Sequence, residues 1–143
     1  MITQRLNNLW KLTEFPPFVR LIIHVGLFLL MEGEKSSFEI VEELILKYID
    51  EKPTKITLKL DTGRKESEIE IRSEKTKRSF KYPKEISFTS FAEGVLSAYR
   101  KVYGRLEVTG AGFREEIYKN DKVSLDLYPT GSVGIFEIFV EYE

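Results

Sequence analysis

The chain has 143 residues, 42% of them hydrophobic and 31% charged, with a formal net charge of -1. A chain of this length buries roughly two thirds of the surface that its unfolded form exposes, so it folds without staples, and its hydrophobic content is not that of a disordered chain. The near-neutral balance excludes a whole-protein field that gathers polyanions, and the absence of cysteine excludes disulfide frameworks, thiol nucleophiles and thiolate metal sites.

A cysteine-free chain suits a reducing compartment, and no N-terminal stretch has the basic, apolar and small-residue order of a secretion signal. The expected location is the cytoplasm. Gln4 is the only glutamine, while lysine and glutamate abound, a bias that leans toward a thermophilic source.

Ile2, Leu6, Leu9 and Trp10 recur at helical spacing, which predicts an amphipathic helix over 2–13. Pro16 and Pro17 stop it, and Pro17 opens a second helix running to about Met31 that is apolar nearly all round. The run FPPFVRLIIHVGLFLLM (15–31) is the one membrane candidate, but Pro16, Pro17, Arg20 and His24 interrupt it, leaving less than the roughly 20 residues of a span. A buried helix is expected there, not a membrane-associated one. Gly33 suits a helix exit, and Ser36 with Glu39 forms an S-x-x-E box before a third helix, about 37–50, with Phe38, Val41, Leu44, Ile45, Tyr48 and Ile49 as its core stripe.

From Thr54 the hydrophobic period becomes two. Ile56, Leu58 and Leu60 fall on one face of a strand and Thr57, Lys59 and Asp61 on the other. Asp61-Thr62-Gly63 supplies a turn, and a second strand sets Ile69 and Ile71 inward, with Glu68, Glu70 and Arg72 outward. Lys59 is then placed to pair with Glu68 or Glu70. A third short strand, Arg78 to Tyr82, ends at Pro83. Ser87 or Ser90 caps a helix over 89–103, with Phe88, Phe91, Val95, Tyr99 and Val102 on one face and Gly104 at its stop. Strands follow at 105–109, 113–119, 123–128 and 133–142, with turns at Asn120-Asp121 and Pro129-Thr130-Gly131. In the last strand Phe136, Ile138, Val140 and Tyr142 share one face, while Ile135 and Phe139 stand among glutamates on the other. That pattern predicts a central strand, or one under a helix.

The expected fold is α+β: an N-terminal three-helix unit, then a mostly antiparallel sheet of six or seven strands interrupted by one helix. The chain reads as a single domain over 1–143, with a helical part (1–52) and a sheet-plus-helix part (53–143). No sequence repeat is visible, although two strand sets around a helix leave a diverged duplication open.

Catalytic chemistry finds little to stand on. His24, the only histidine, sits in the apolar run LIIHVGLF with no carboxylate at the i+4 position, so a core histidine is expected and no metal site. No serine stands in a G-x-S-x-G setting, and Ser90 and Ser97 read as a cap and a small face. Glu93 and Asp126 are possible acids, and solvated surface positions suit both. Thr109-Gly110-Ala111-Gly112-Phe113 follows a strand but lacks the third glycine and following helix of a dinucleotide site. No cofactor is expected.

Residues 54–85 hold ten basic residues against six acidic ones, whereas residues 1–53 hold six against eight and residues 86–143 six against nine. Within that basic third, Arg72, Lys75, Lys77, Arg78 and Lys81 are the candidate contacts for nucleic-acid phosphate or for an acidic partner. Phe80 and Tyr82 would help by stacking on bases only if they were exposed, and strand alternation after two inward-facing strands turns them inward. The same basic residues also blunt an edge strand against aggregation. The reading that follows is a small non-catalytic binding or regulatory domain acting through protein–protein contacts, self-association included. Nucleic-acid binding through the 54–85 meander, within residues 72–84, is the alternative.

Overall fold

The computed structural model describes residues 35–112, 115–130 and 132–143. The helices expected over 2–13 and 17–31, the greater part of the three-helix unit, and His24 lie outside the described residues. The third expected helix is present as α1 (Ser37–Tyr48), which begins directly after Ser36, buries Val41, Leu44 and Ile45, and tightens into a 3-10 turn at Ile49–Glu51. Lys52 ends this turn in the left-handed region at φ 53°, its N–H donating to the Ile49 carbonyl at 3.1 Å, a conformation uncommon for a residue with a Cβ.

Three strands follow as a meander: β1 (Lys55–Asp61), β2 (Glu66–Arg72) and β3 (Lys77–Tyr82). Next come α2 (Phe88–Tyr103) and four further strands, β4 (Glu107–Gly112), β5 (Glu115–Lys119), β6 (Val123–Pro129) and β7 (Ile135–Tyr142). All seven join one antiparallel sheet in the order β3-β2-β1-β7-β6-β5-β4. Among the described residues the fold is therefore α+β, two helices with a seven-stranded antiparallel sheet that one of them interrupts. The last strand is the central one, as its doubly apolar pattern predicts.

β3 and β4 are opposite edges of the sheet, so α2 must carry the chain across it. Sixteen helical residues at about 1.5 Å each span about 24 Å, most of the sheet's width at about 4.8 Å per strand. Ser87 is the cap, its hydroxyl accepting from the Ser90 N–H at 3.1 Å, which settles the choice between the two serines. The loop before it is held by Ser67, whose buried hydroxyl donates to the Lys84 carbonyl at 2.7 Å and accepts from the Ile86 N–H at 2.8 Å. At the far end Asn120 clips helix exit to hairpin. Its amide donates to the Tyr103 and Arg105 carbonyls, and its oxygen accepts from the Lys122 and Val123 N–H groups.

Both helices lie on one face of the sheet. Val41, Ile45, Phe91, Val95 and Tyr99 meet Ile56, Leu58, Ile69, Leu125 and Ile138 in the core, all fully buried. The helices approach closely at Gly94, where a Cβ would stand 2.7 Å from Val41 Cβ. Tyr99 and Tyr142 place their hydroxyls 2.7 Å apart, and Tyr142 donates to the Pro53 carbonyl at 2.8 Å. Burial pushes both phenols well above the ordinary tyrosine range.

Candidate functional site

Strand alternation sends every second side chain to the face away from the helices, and the registers align these residues in rows across the sheet. One row runs Lys77, Arg72, Lys55, Phe139, Asp126, Ile117 from β3 to β5, and the next runs Ser79, Glu70, Thr57, Glu137, Tyr128 from β3 to β6. This open face divides into two halves of different chemistry.

The half built on β1–β3 is a lattice of compensated charge. Glu70, 8% exposed, lies within 3.5 Å of Lys59, 3.6 Å of Arg72 and 3.9 Å of Lys77. Lys59 thus stands opposite Glu68 in register but makes its ion pair with Glu70. Lys55 reaches across to Glu137 at 2.7 Å, and Thr57 is buried between these pairs. The half on β4–β7 carries apolar and acidic groups. Tyr128 is 40% and Phe139 39% exposed, with Ile135 partly exposed beside them. The Lys55 ammonium stands 5.8 Å from the centre of the Phe139 ring.

The five basic residues singled out from the sequence do not form one cluster. Arg72 and Lys77 are on the open face beside Glu70, and Lys81 is on that face in register with Glu68. Lys75 is in the β2–β3 turn, on the rim of an open cleft of about 460 Å³ that Lys52, Ser73, Thr76 and Tyr142 also line. Arg78 points the other way, toward the helices. Its guanidinium binds both oxygens of Glu51 at 2.8 Å and covers the Tyr48 ring at 4.8 Å. The hydrogen bonds from Arg78 hold the Glu51 carboxyl below its usual range. Phe80 and Tyr82 face the helices, as alternation predicts, and Phe80 packs on Tyr48 with ring centres 5.3 Å apart.

Lys81 borders a second, smaller cavity of about 160 Å³ at the β1–β2 turn, where Lys59 and Arg64 meet Asp61, Glu66 and Glu68. Neither cavity gathers a nucleophile with a base. Among the described residues, no group of three or more His, Asp or Glu side chains could hold a metal ion, and no helix is long and apolar enough to cross a membrane. Of the two acids considered for catalysis, Glu93 is exposed on α2, and Asp126 lies on the open face next to Phe139.

The feature that sequence reading undervalues is the aromatic centre of the open face. Phe139 and Ile135 among glutamates read as a second covered side of β7. Among the described residues they lie on the face that neither α1 nor α2 covers. The signal was the aromatic at an odd position in a strand whose even positions already fill the core. No family model, curated protein or solved structure matches this chain.

Proposed function

We propose that this chain is a small non-catalytic binding domain that works through protein–protein contact made by the open face of its sheet. One observation carries the reading: the central strands β6 and β7 present Tyr128, Ile135 and Phe139 to solvent on a face whose rim is charged. Aromatic centres with polar rims are the anatomy of protein interfaces, and the aromatics supply most of the energy.

The alternative, phosphate contact by the 72–84 meander, draws on fewer groups. Arg78 is committed to Glu51, Arg72 and Lys77 stand beside Glu70, and the two rings are turned from solvent. Lys75 and Lys81 remain, at opposite ends of β3, which is too sparse for the counterion release that a phosphate grip needs.

A photo-crosslinking residue placed at position 139 of the full chain tests the reading, with the same residue at the exposed Glu93 on α2 as the control. Protein adducts at 139 in excess of those at 93 are expected. Equal adducts at the two positions would refute it.

A further inference from the structure

Resting on the protein-contact reading, we infer that the partner of the open face is a second copy of this chain, docked face to face about a two-fold axis parallel to β7. Three features of the face support this occupant.

The apolar groups sit where a two-fold axis would pass. β7 is the fourth of seven strands, so an axis along it brings Phe139 and Ile135 of the two copies together, with Tyr128 one strand away. A self-complementary interface has its anchors at its centre, where each copy supplies the same residues.

Charge then selects the direction of the axis. On the β1–β3 side the cations Lys77 and Lys81 form the outer edge, with Lys75 in the adjoining turn. On the β4–β7 side Glu107, Asp126, Glu137 and Glu141 share the face with Lys119. An in-plane axis across the strands would lay the basic edge on the basic edge. An axis along the strands lays β3 of one copy over β4 of the other, so that Lys77 faces Thr109 of the second copy and has Glu107 two residues away along the strand. Opposite charges meet, and like charges separate.

The size also fits. Seven strands at about 4.8 Å, each about seven residues at about 3.4 Å, give a face of about 800 Å², the area that each partner contributes to a standard stable interface. Aligned face packing holds two sheets about 10 Å apart, room for one layer of side chains from each.

Sedimentation equilibrium of the full chain, at low and high salt, tests the proposal. The expected species has twice the 16.7 kDa chain mass, and its dissociation constant rises with salt as the rim pairs are screened. Phe139→Glu, at a position exposed enough to leave folding intact, weakens it by about tenfold or more, the scale of a central aromatic anchor. K77E and E107K each weaken it several-fold. Mixing the two single variants restores affinity, because each homodimer opposes like charges whereas in the mixed dimer both contacts set a glutamate against a lysine, the two substituted positions with each other and the native Glu107 with the native Lys77.

A chain that stays monomeric up to about 1 mM, the weakest association worth the name, overturns the inference. So does a dimer indifferent to Phe139→Glu, or one in which the mixed variants recover nothing. A monomer that still gives adducts at 139 overturns self-docking and leaves the protein-contact reading standing. A monomer without such adducts removes both.

Discussion

Gly94→Ala is the substitution whose outcome the packing fixes most tightly. On propensity alone an alanine in the middle of a helix gains about 1 kcal/mol over glycine. At this position, however, the added Cβ would lie 2.7 Å from Val41 Cβ, 2.8 Å from Val41 Cγ1 and 3.0 Å from the Phe38 carbonyl oxygen. Carbon atoms prefer about 3.5–4.0 Å, so α1 must move away from α2 by the better part of an ångström. None of the three neighbours can turn aside, because one is backbone and the valine is fully buried. Overpacking of this kind costs about 1–3 kcal/mol, and the upper part of that range applies. The net effect is a loss of about 1–2 kcal/mol.

Urea unfolding followed by far-UV circular dichroism measures it. With a slope of about 1–3 kcal/mol per molar urea for a domain of this size, the midpoint should fall by roughly 0.5–1 M. Val41→Ala removes Cγ1 but keeps the offending Cβ, so in the double variant it returns only part of the penalty, and the two effects are not additive. A midpoint for Gly94→Ala at or above that of the parent would refute the close-packed helix pair.

Three further outcomes follow. Tyr142→Phe leaves the Pro53 carbonyl without its donor and the buried Tyr99 hydroxyl without its partner, and should cost about 1–3 kcal/mol by urea unfolding. Hydrogen bonds from Lys101 and Ser97 hold the Glu42 carboxyl below its ordinary 4.5. Its stabilising contribution is therefore present above that pH and lost as the pH falls through the folded-state value, and Glu42→Gln should flatten the acid side of a stability-versus-pH curve. Fluorescence anisotropy with mixed-sequence oligonucleotides should stay flat at near-physiological salt. Salt-sensitive binding that drops when Lys75 and Lys81 become glutamate would revive the phosphate reading.

Where elements are periodic and local, the chain declares them. The meander at 54–82 is legible because Ile56, Leu58, Ile69 and Ile71 alternate with polar residues, and α2 because Phe88, Phe91, Val95 and Tyr99 share a face that ends at Gly104, although Val102, expected on the same face, is 47% exposed in the last turn. The β4–β5 hairpin is the part that drifts. The strand expected at 105–109 runs from Glu107 to Gly112, with a register shift between Thr109 and Gly112, because glycines carry no side-chain pattern to fix where pairing stops. Arg78 was legible as a cation but not as a buttress. Its carboxylate partner, Glu51, is 27 residues away, and only the packing of the α1 exit over β3 brings them together. The close approach at Gly94 is hidden for the same reason: a glycine inside a helix signals a constraint without naming the helix that imposes it.

Topology also restricts how the two halves of the helix-and-meander pattern relate. A two-fold relation between them would put equivalent strands side by side, either the first of each half, β1 against β4, or the last, β3 against β7. The order instead puts β7 against β1 and sends β4 to the far edge, so the second meander is threaded from edge to centre and the first from centre to edge. This reversed threading makes the C-terminal strand the middle of the sheet, flanked on both sides by ladder pairing. A residue at the middle of a seven-stranded sheet cannot hide at a rim, and Phe139 meets water there only if nothing docks. The same order separates Lys77 and Lys81 on β3 from Glu107 on β4 by the full width of the sheet, giving an edge-to-edge charge asymmetry that a second, inverted copy of the face would neutralise.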